Sequence, residues 1–235
     1  MERLKNLANR LAPTASLDEV MALNSTFLRE SFQRLHIRAG GNFAAAMKDA
    51  VKLLNAAGVE FVLIGSNALH VYNYTRATKD IDFAVDYNAL TPIMALSKKY
   101  GFDRVTGEGG NLDPVKLRHA KEGVVIELVV FHPDKLDAAM SGESARTAVH
   151  GTELLVPSLG LLLGYKLDSK RVKDQADAIQ LILHNPELRQ PNSDLRREVE
   201  AVLQKLPNGS TLLQRLQQAV HAAETEEAPF ESNPT

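Results

Sequence analysis

Residues 61–86, with the sequence FVLIGSNALHVYNYTRATKDIDFAVD, constrain the fold of this chain more than any other stretch. An apolar run ends at Gly65-Ser66, a short helix-compatible segment follows, and Asp80-Ile81-Asp82 then opens a second apolar run. Short apolar runs bounded by glycine and polar residues are typical of buried strands. The pattern therefore predicts a strand, a turn, a short helix and a second strand.

Asp80 and Asp82 lie at alternate positions of the second predicted strand. Successive side chains of a strand point to opposite faces, so the two carboxylates share one face while Ile81 and Phe83 share the other. Carboxylates this close raise each other's pKa unless a cation lies between them. A hard divalent ion suits oxygen ligands, and Mg²⁺ fits best because it also binds the phosphate oxygens of a substrate.

The Gly65-Ser66 turn supplies the complementary half of this predicted site. Glycine lets the backbone approach a ligand closely, and the N–H groups at the start of the next helix favour an anion. Together with the paired aspartates, the turn predicts a bound triphosphate held on its metal.

Glu127 interrupts the most strand-like run of the chain, VVIELVVF at residues 124–131. A carboxylate in a buried strand is unfavourable unless it is paired or coordinates a metal. We therefore expect Glu127 to lie beside Asp80 and Asp82. The alternative is an ion pair with a nearby arginine such as Arg118.

These residues resemble a known enzyme superfamily. Gly65-Ser66 followed after a short helix by Asp-x-Asp is similar to the signature of the nucleotidyltransferases typified by DNA polymerase beta. The denser string Arg76-x-Thr78-x-Asp80-Ile81-Asp82, with a later Lys166-Leu167 and Arg171-x-Lys173-Asp174-x-x-Asp177, is similar to AbiEii-type nucleotidyltransferases, many of which are toxins of toxin–antitoxin pairs. The resemblance covers roughly residues 50–185.

The resemblance implies transfer of a nucleoside monophosphate from an NTP to an acceptor, with release of pyrophosphate and with two Mg²⁺ ions as cofactors. It implies that Asp80, Asp82 and Glu127 bind the metal, and that Glu127 also helps to deprotonate the acceptor hydroxyl. Gly65 and Ser66 would hold the phosphates of the nucleotide.

Four further positions are candidate site residues. Arg76 and Thr78 precede the aspartates and would either reach a phosphate or brace the Asp80 carboxylate. The resemblance implies that Lys166 stabilises charge on the departing pyrophosphate. Asp174, with Asp177 one helical turn later, would orient Lys166 or a metal-bound water. From composition alone, DSKRVKDQAD at residues 168–177 is typical of a solvated helix whose charges pair with one another.

The acceptor has three candidate classes. A tRNA or a protein would suit a toxin with a cognate antitoxin, and a small-molecule antibiotic would suit a resistance enzyme. A function of another kind is also open, in which the fold has lost catalysis and serves as a nucleotide-sensing or partner-binding module.

We expect an α/β (α+β) fold of the nucleotidyltransferase type, with a mixed sheet flanked by helices. The predicted divisions are an N-terminal helical arm (1–41), a nucleotidyltransferase core (42–157), a C-terminal helical domain (158–224) and a disordered tail (225–235). Within the core, residues 132–147 are predicted to be helical and 149–156 to form a short hairpin. The glycine cluster within residues 105–114 predicts either a lid over the site or a plain hairpin loop.

Composition excludes several other classes. The chain of 235 residues has a net charge of −2, which argues against a generally basic nucleic-acid-binding surface. It has no cysteine, which removes disulfides, thiolate catalysis and cysteine zinc sites, and its histidines lack ligand spacing. GxxxxGK[ST], GxGxxG and GxSxG motifs are absent. The longest apolar run, 159–163, is far shorter than the about 20 residues that cross a bilayer, so we expect a cytoplasmic protein.

Overall fold

A five-stranded mixed sheet organises the computed structural model, which describes residues 42–76, 78–105, 114–140 and 144–227. The strands run in the order β1-β2-β5-β4-β3. Only β2 and β5 are parallel; the other three pairs are antiparallel. The strands are β1 (Phe61–Ile64), β2 (Asp80–Val85), β3 (Phe102–Arg104), β4 (Val115–His119) and β5 (Val125–Val130). The predicted α/β fold with a mixed sheet is confirmed.

Helices flank this sheet. The helices that precede β5 in the sequence are α1 (Phe43–Ala56), α2 (Gly65–Leu69) and α3 (Leu90–Leu96). Those after it are α4 (Pro133–Met140), α5 (Leu159–Asp168), α6 (Val172–His184), α7 (Asp194–Lys205) and α8 (Gly209–Glu227). Short 3₁₀ segments lie at His70–Tyr72, Tyr87–Ala89, Ser97–Tyr100 and Pro186–Arg189. A separate hairpin consists of β6 (Ser144–Val149) and β7 (Thr152–Pro157).

The two faces of the sheet bury different side chains. Helix α1 begins at the N-cap Asn42, whose side chain accepts a hydrogen bond from the Ala45 N–H, and its apolar stripe contributes to the main hydrophobic cluster. Alternate residues of β2, Ile81 and Phe83, belong to that same cluster. Ala84 instead joins a smaller cluster with Leu161 of α5. Because strand side chains alternate, Asp80 and Asp82 lie on the face that α5 covers.

The segment after β5 differs from its sequence prediction. Helix α4 ends at Met140, and residues 144–149 form strand β6 instead of continuing the predicted helix to 147. Pairing with β7 decides this, since Ser144 is opposite Pro157 and Val149 is opposite Thr152. The hairpin about His150-Gly151 is therefore present but longer than expected. The sequence predicts a helix start at Thr91-Pro92, with proline at the first helical position, whereas helix α3 begins earlier, at Leu90.

The C-terminal helices agree with prediction. The sequence predicts helices at residues 159–168, 172–184, 195–206 and 212–223. Helices α5 and α6 have these bounds, and α7 and α8 begin slightly earlier. Helix α8 also runs to Glu227, so the start of the segment 225–235, predicted to be disordered, is helical. The spacing of Gly160 and Gly164, four residues apart, predicts a close helix contact. Helix α5 contacts α7 there, since a Cβ at Gly160 would lie 2.8 Å from Val202 Cβ.

Several predicted features lie outside the described residues: the helical arm (1–41), the body of the glycine cluster (106–113) and the end of the tail (228–235). The boundary at residue 157 between core and helical domain stays a prediction. None of the described helices combines the length and apolar composition needed to cross a bilayer.

Candidate active site

Three carboxylates converge where β2 and β5 lie side by side. In the parallel register Asp82 is directly opposite Glu127, and Asp80 precedes it by one pleat on the same face. Each residue offers an oxygen, and these three oxygens all lie within 4.8 Å of one another. The expected position of Glu127 beside the aspartate pair is therefore present in the structure.

Electrostatics at Asp82 indicate that this cluster suits a cation. Burial raises the pKa of Asp82, and the charges of Asp80 and Glu127 raise it further, to about 7, although Lys166 and Lys173 act in the opposite direction. The protein's own cations therefore do not balance the negative charge at this position. Three hard oxygen donors at this separation fit a divalent ion such as Mg²⁺.

Gly65 fixes the position of Asp82. Its φ of +67° belongs to the left-handed region that side chains disfavour, and an added Cβ would overlap the Asp82 carboxylate. The neighbouring register places Ile64 opposite Asp82. Helix α2 starts at Gly65 without a side-chain cap, and Ser66 lies buried in its first turn. The glycine is thus required both by the turn and by the carboxylate beside it.

Glu127 has a cationic partner. Lys116 is opposite Glu127 in the β4–β5 register, and its Nζ lies 2.6 Å from Glu127 Oε1. Arg118, the partner named in the sequence alternative, is opposite Val125 instead. Glu127 therefore belongs to the carboxylate cluster and also forms an ion pair, but with lysine and not with arginine.

Asp80 is held by its neighbours. The Thr78 hydroxyl donates to Asp80 Oδ1 at 2.5 Å, so of the two expected roles Thr78 shows the bracing one. The Asn67 side-chain amide donates to the Asp80 backbone oxygen at 3.1 Å, and Asn67 Oδ1 lies 3.0 Å from His150 Nε2. The start of β2 is thereby fixed to α2 and to the β6–β7 hairpin.

Lys166 is buried between two aspartates. Its Nζ donates to Asp174 Oδ1 at 2.6 Å and to Asp177 Oδ2 at 2.9 Å. Burial raises the pKa of Asp174, but hydrogen bonds from Lys166 and Ser169 outweigh that effect and hold it below its ordinary value. Both aspartates therefore contact Lys166, and their role in orienting it stays a prediction; a lysine ammonium has one further N–H to offer.

Arg76 joins the same network from the other side. Its Nε lies 3.1 Å from Asp177 Oδ1, but the N–H does not point at that oxygen, so the contact is an ion pair without a hydrogen bond. The network connects the segment before β2 to helix α6. Arg76 lines the cleft beside it.

The carboxylates form part of a cleft of about 410 Å³ between the sheet and helices α5 and α6. That volume falls in the range of small-molecule sites. Within the described ranges, four cations and four carboxylates line it: Arg76, Lys166, Arg171 and Lys173 with Asp80, Asp82, Glu127 and Asp174. Another part of the lining is apolar: Ile64, Pro114, Val129, Phe131, Leu162 and Tyr165.

Sequence reasoning did not identify all of these lining residues. Arg171 and Lys173 belong to the string that resembles AbiEii-type enzymes, but no site role is predicted for them, and Ser169 lies in the charged segment 168–177 that composition describes as self-paired. Phe131 and Tyr165, whose rings meet edge to face with centroids 5.0 Å apart, have no predicted role in the sequence analysis. The sequence feature that indicates Arg171 and Lys173 as cleft residues is their short distance from Lys166 along the chain.

The raised pKa of Asp82 predicts a pH-dependent stability effect. Because the pKa of about 7 in the folded protein exceeds the ordinary aspartate pKa of 3.8, the carboxyl group's contribution to stability is fully present below pH 3.8 and is lost as the pH rises through 7. Asp82→Asn should therefore raise the free energy of unfolding of the metal-free protein by about 2–4 kcal/mol at pH 8, with a smaller gain at pH 5. Urea unfolding in EDTA at the two pH values measures this.

The control for that experiment is Asp103→Asn, because Asp103 is exposed on β3 at the opposite edge of the sheet. Equal gains at pH 5 and pH 8 for Asp82→Asn would contradict the charge explanation. Added Mg²⁺ should stabilise the wild-type protein at pH 8 and have little effect on the Asp82 variant.

Comparison with solved structures finds distant nucleotidyltransferase neighbours. An antigenic nucleotidyltransferase-like protein from Paracoccidioides brasiliensis has 20% identity and a TM-score of 0.43, with 73% of this chain and 92% of that chain covered. ANT(2'')-Ia in complex with adenylyl-2''-tobramycin has 12% identity and a TM-score of 0.45, with 73% and 97% covered. The lincosamide antibiotic adenylyltransferase LnuA, lincomycin-bound, has 13% identity and a TM-score of 0.42, with 60% and 97% covered. No protein-family model matches the chain. No curated protein matches it either.

Proposed function

We propose that this chain is a metal-dependent nucleotidyltransferase, closest in kind to the AbiEii-type enzymes. The observation that carries the proposal is the convergence of Asp80, Asp82 and Glu127 within 4.8 Å, in a cleft whose turn at Gly65 leaves no room for a side chain. Such a site can hold a divalent cation and the phosphates of an NTP together.

The proposed reaction is NTP + acceptor–OH → acceptor–NMP + pyrophosphate. The acceptor oxygen attacks the α-phosphorus and forms the new P–O bond, while the bond between the α-phosphorus and the bridging oxygen to the β-phosphorus breaks. Pyrophosphate leaves with that bridging oxygen. The acceptor hydroxyl proton passes to the Glu127 carboxylate, which lines the cleft. When bound, two Mg²⁺ ions would neutralise phosphate charge and lower the pKa of the attacking hydroxyl.

The chain's own residues share the remaining tasks. Asp80 and Asp82 would hold the metal, and the backbone and hydroxyl of Gly65-Ser66 would hold phosphate oxygens. Lys166 already donates to two aspartates, so it offers one remaining N–H to the departing pyrophosphate. Arg76 and Lys173, which also line the cleft, would supply the additional positive charge.

The proposed acceptor is a tRNA or a protein, as in a toxin with a cognate antitoxin. One observation favours a small-molecule acceptor such as an antibiotic as a second candidate: one part of the cleft is apolar and includes the Phe131–Tyr165 pair. A module that senses nucleotide without transferring it is the third candidate, since the same cleft would bind Mg²⁺–NTP in either case.

Incubation of the protein with each α-labelled NTP, Mg²⁺ and a cell extract tests the proposal. The expected result is label on one class of molecule, with pyrophosphate released in equal amount and both lost in EDTA. Label on RNA, protein or a small molecule then identifies the acceptor class. Saturable Mg²⁺-dependent NTP binding without pyrophosphate release, across extracts and antibiotic panels, would overturn transfer in favour of the sensing module.

A further inference from the structure

A second cavity, of about 340 Å³, lies at the C-terminal end of α5, where that helix meets α6 and α8. It touches the candidate active site at one residue, Ser169, which lines both spaces. The segment 169–173 therefore separates the two, with Lys170 in the second cavity and Lys173 in the cleft. None of the transfer roles proposed above uses this second cavity.

The charge of the second cavity differs from that of the cleft. Among the residues that the structure describes, the cleft lining has equal numbers of cations and carboxylates, whereas the second cavity is lined by Lys170 and Arg215 and by no carboxylate. Lys170 is exposed and forms no ion pair with any residue that the structure describes. Two positive charges in a concave space without an internal counter-ion attract an anion.

Arg215 is already positioned for that role. Its Nη1 donates to the Leu167 backbone oxygen at 2.6 Å, at the end of α5, and this contact fixes the guanidinium group. A guanidinium has five N–H donors, so four remain for other partners. The side-chain amides of Gln175 and Gln218 also line the cavity and can donate hydrogen bonds.

The rest of the lining is apolar and includes Leu167 and Ile179. A free inorganic anion would leave this surface uncovered, whereas an anion carried on an organic body would cover it. The charge of two cations matches a phosphate monoester, which carries nearly two negative charges at neutral pH, better than it matches a single carboxylate.

We propose that the second cavity binds a phosphate monoester carried on a nucleoside, either as a free nucleoside monophosphate or as the 5′-phosphate end of an RNA strand. Lys170 and Arg215 hold the phosphate, and the apolar surface contacts the nucleoside. This site goes beyond the proposed transfer reaction and does not depend on it. Because Ser169 also donates from its hydroxyl to Asp174 at 2.7 Å, the two spaces share a structural element.

Equilibrium dialysis with labelled AMP against metal-free protein in EDTA tests the site. We expect saturable binding of AMP and at least about tenfold weaker binding of adenosine, which lacks the phosphate. Lys170→Glu should weaken AMP binding by about tenfold or more, because it reverses one of the two charges.

Two matched variants locate the binding. Lys98→Glu makes the same charge change at an exposed lysine beside α3, and it should leave AMP binding unchanged. Lys173→Glu makes it in the cleft and should weaken AMP binding less than Lys170→Glu does. Loss of binding in Lys173→Glu with retention in Lys170→Glu would place AMP in the cleft and overturn the proposal, as would equal losses in Lys170→Glu and Lys98→Glu.

The source of the phosphate is decided by comparing AMP with 5′-phosphorylated and 5′-hydroxyl forms of one short RNA. Tighter, Lys170-dependent binding of the phosphorylated RNA identifies an RNA end, and binding of AMP alone identifies the free nucleotide. No binding of AMP or of phosphorylated RNA overturns the site. These binding measurements need neither metal nor NTP. An absence of AMP binding would therefore not argue against the transfer reaction, and an absence of transfer would not argue against AMP binding in the second cavity.

Discussion

Asp80→Asn and Asp82→Asn should each lower Mg²⁺-dependent nucleotide transfer by roughly a thousandfold, which corresponds to about 4 kcal/mol of lost transition-state stabilisation. Each substitution keeps the size of the side chain and removes one negative charge from a cluster whose oxygens lie within 4.8 Å of one another. The remaining carboxylates would hold a divalent ion weakly, and the NTP would lose the cation that fixes its phosphates. Initial rates with the labelled acceptor measure the loss.

The control is Asp103→Asn, which makes the same change on strand β3, three strands away from β2 in the sheet. It should keep full transfer. Circular dichroism and thermal unfolding should show both site variants folded, with Asp82→Asn more stable than the wild type in EDTA. Full retention of transfer in either site variant would remove the mechanism, because the two aspartates would then not hold the metal.

Gly65→Ala should reduce Mg²⁺ affinity and transfer by about a hundredfold or more although it removes no functional group. The new Cβ would overlap the Asp82 carboxylate, so that side chain has to leave its position beside Glu127. Backbone strain should also lower the free energy of unfolding of this variant by about 1–2 kcal/mol, because φ at this position is positive. Isothermal titration with Mg²⁺ and the transfer assay measure the two effects separately.

Gly58→Ala isolates the strain from the overlap. Gly58 follows α1 with a φ of +66°, nearly that of Gly65, but a Cβ there would meet nothing within 4 Å. Both variants should therefore lose the stability that backbone strain costs, Gly65→Ala should lose more because of the overlap, and only Gly65→Ala should lose Mg²⁺ affinity. If both variants bind Mg²⁺ as the wild type does, then close contact between the turn and Asp82 is not what positions the metal ligand.

Local signals explain which parts of the structure the sequence predicts. Strands β1, β2 and β5 have short apolar runs between clear boundaries, and α5 and α6 have well-marked ends. The position of Glu127 follows from an energetic argument, since a carboxylate in a buried strand needs either a cation or a partner. Glu127 can have both, because its carboxylate forms an ion pair with Lys116 and also faces the two aspartates, where a metal cation would bind.

Long-range pairing explains what the sequence could not provide. Ser144-Ala145-Arg146-Thr147 has no strong preference for a strand, and β7 imposes the extended conformation on it. Lys116 and Arg118 are equivalent in the sequence, and only the β4–β5 register places Lys116 opposite Glu127. The cationic lining by Arg171 and Lys173 depends likewise on where α6 packs.

Helix α5 forms part of two interfaces at once. It contributes Leu162, Tyr165 and Lys166 to the cleft, while Gly160 and Gly164 contact helix α7. A methyl group at either glycine would push the helix away from α7 and carry Lys166 with it, although every reacting group would still be present. Substitutions that make this protein heat-sensitive should therefore occur where α5 contacts α7. These positions lie outside the cleft, so an inhibitor bound in the cleft would not contact them.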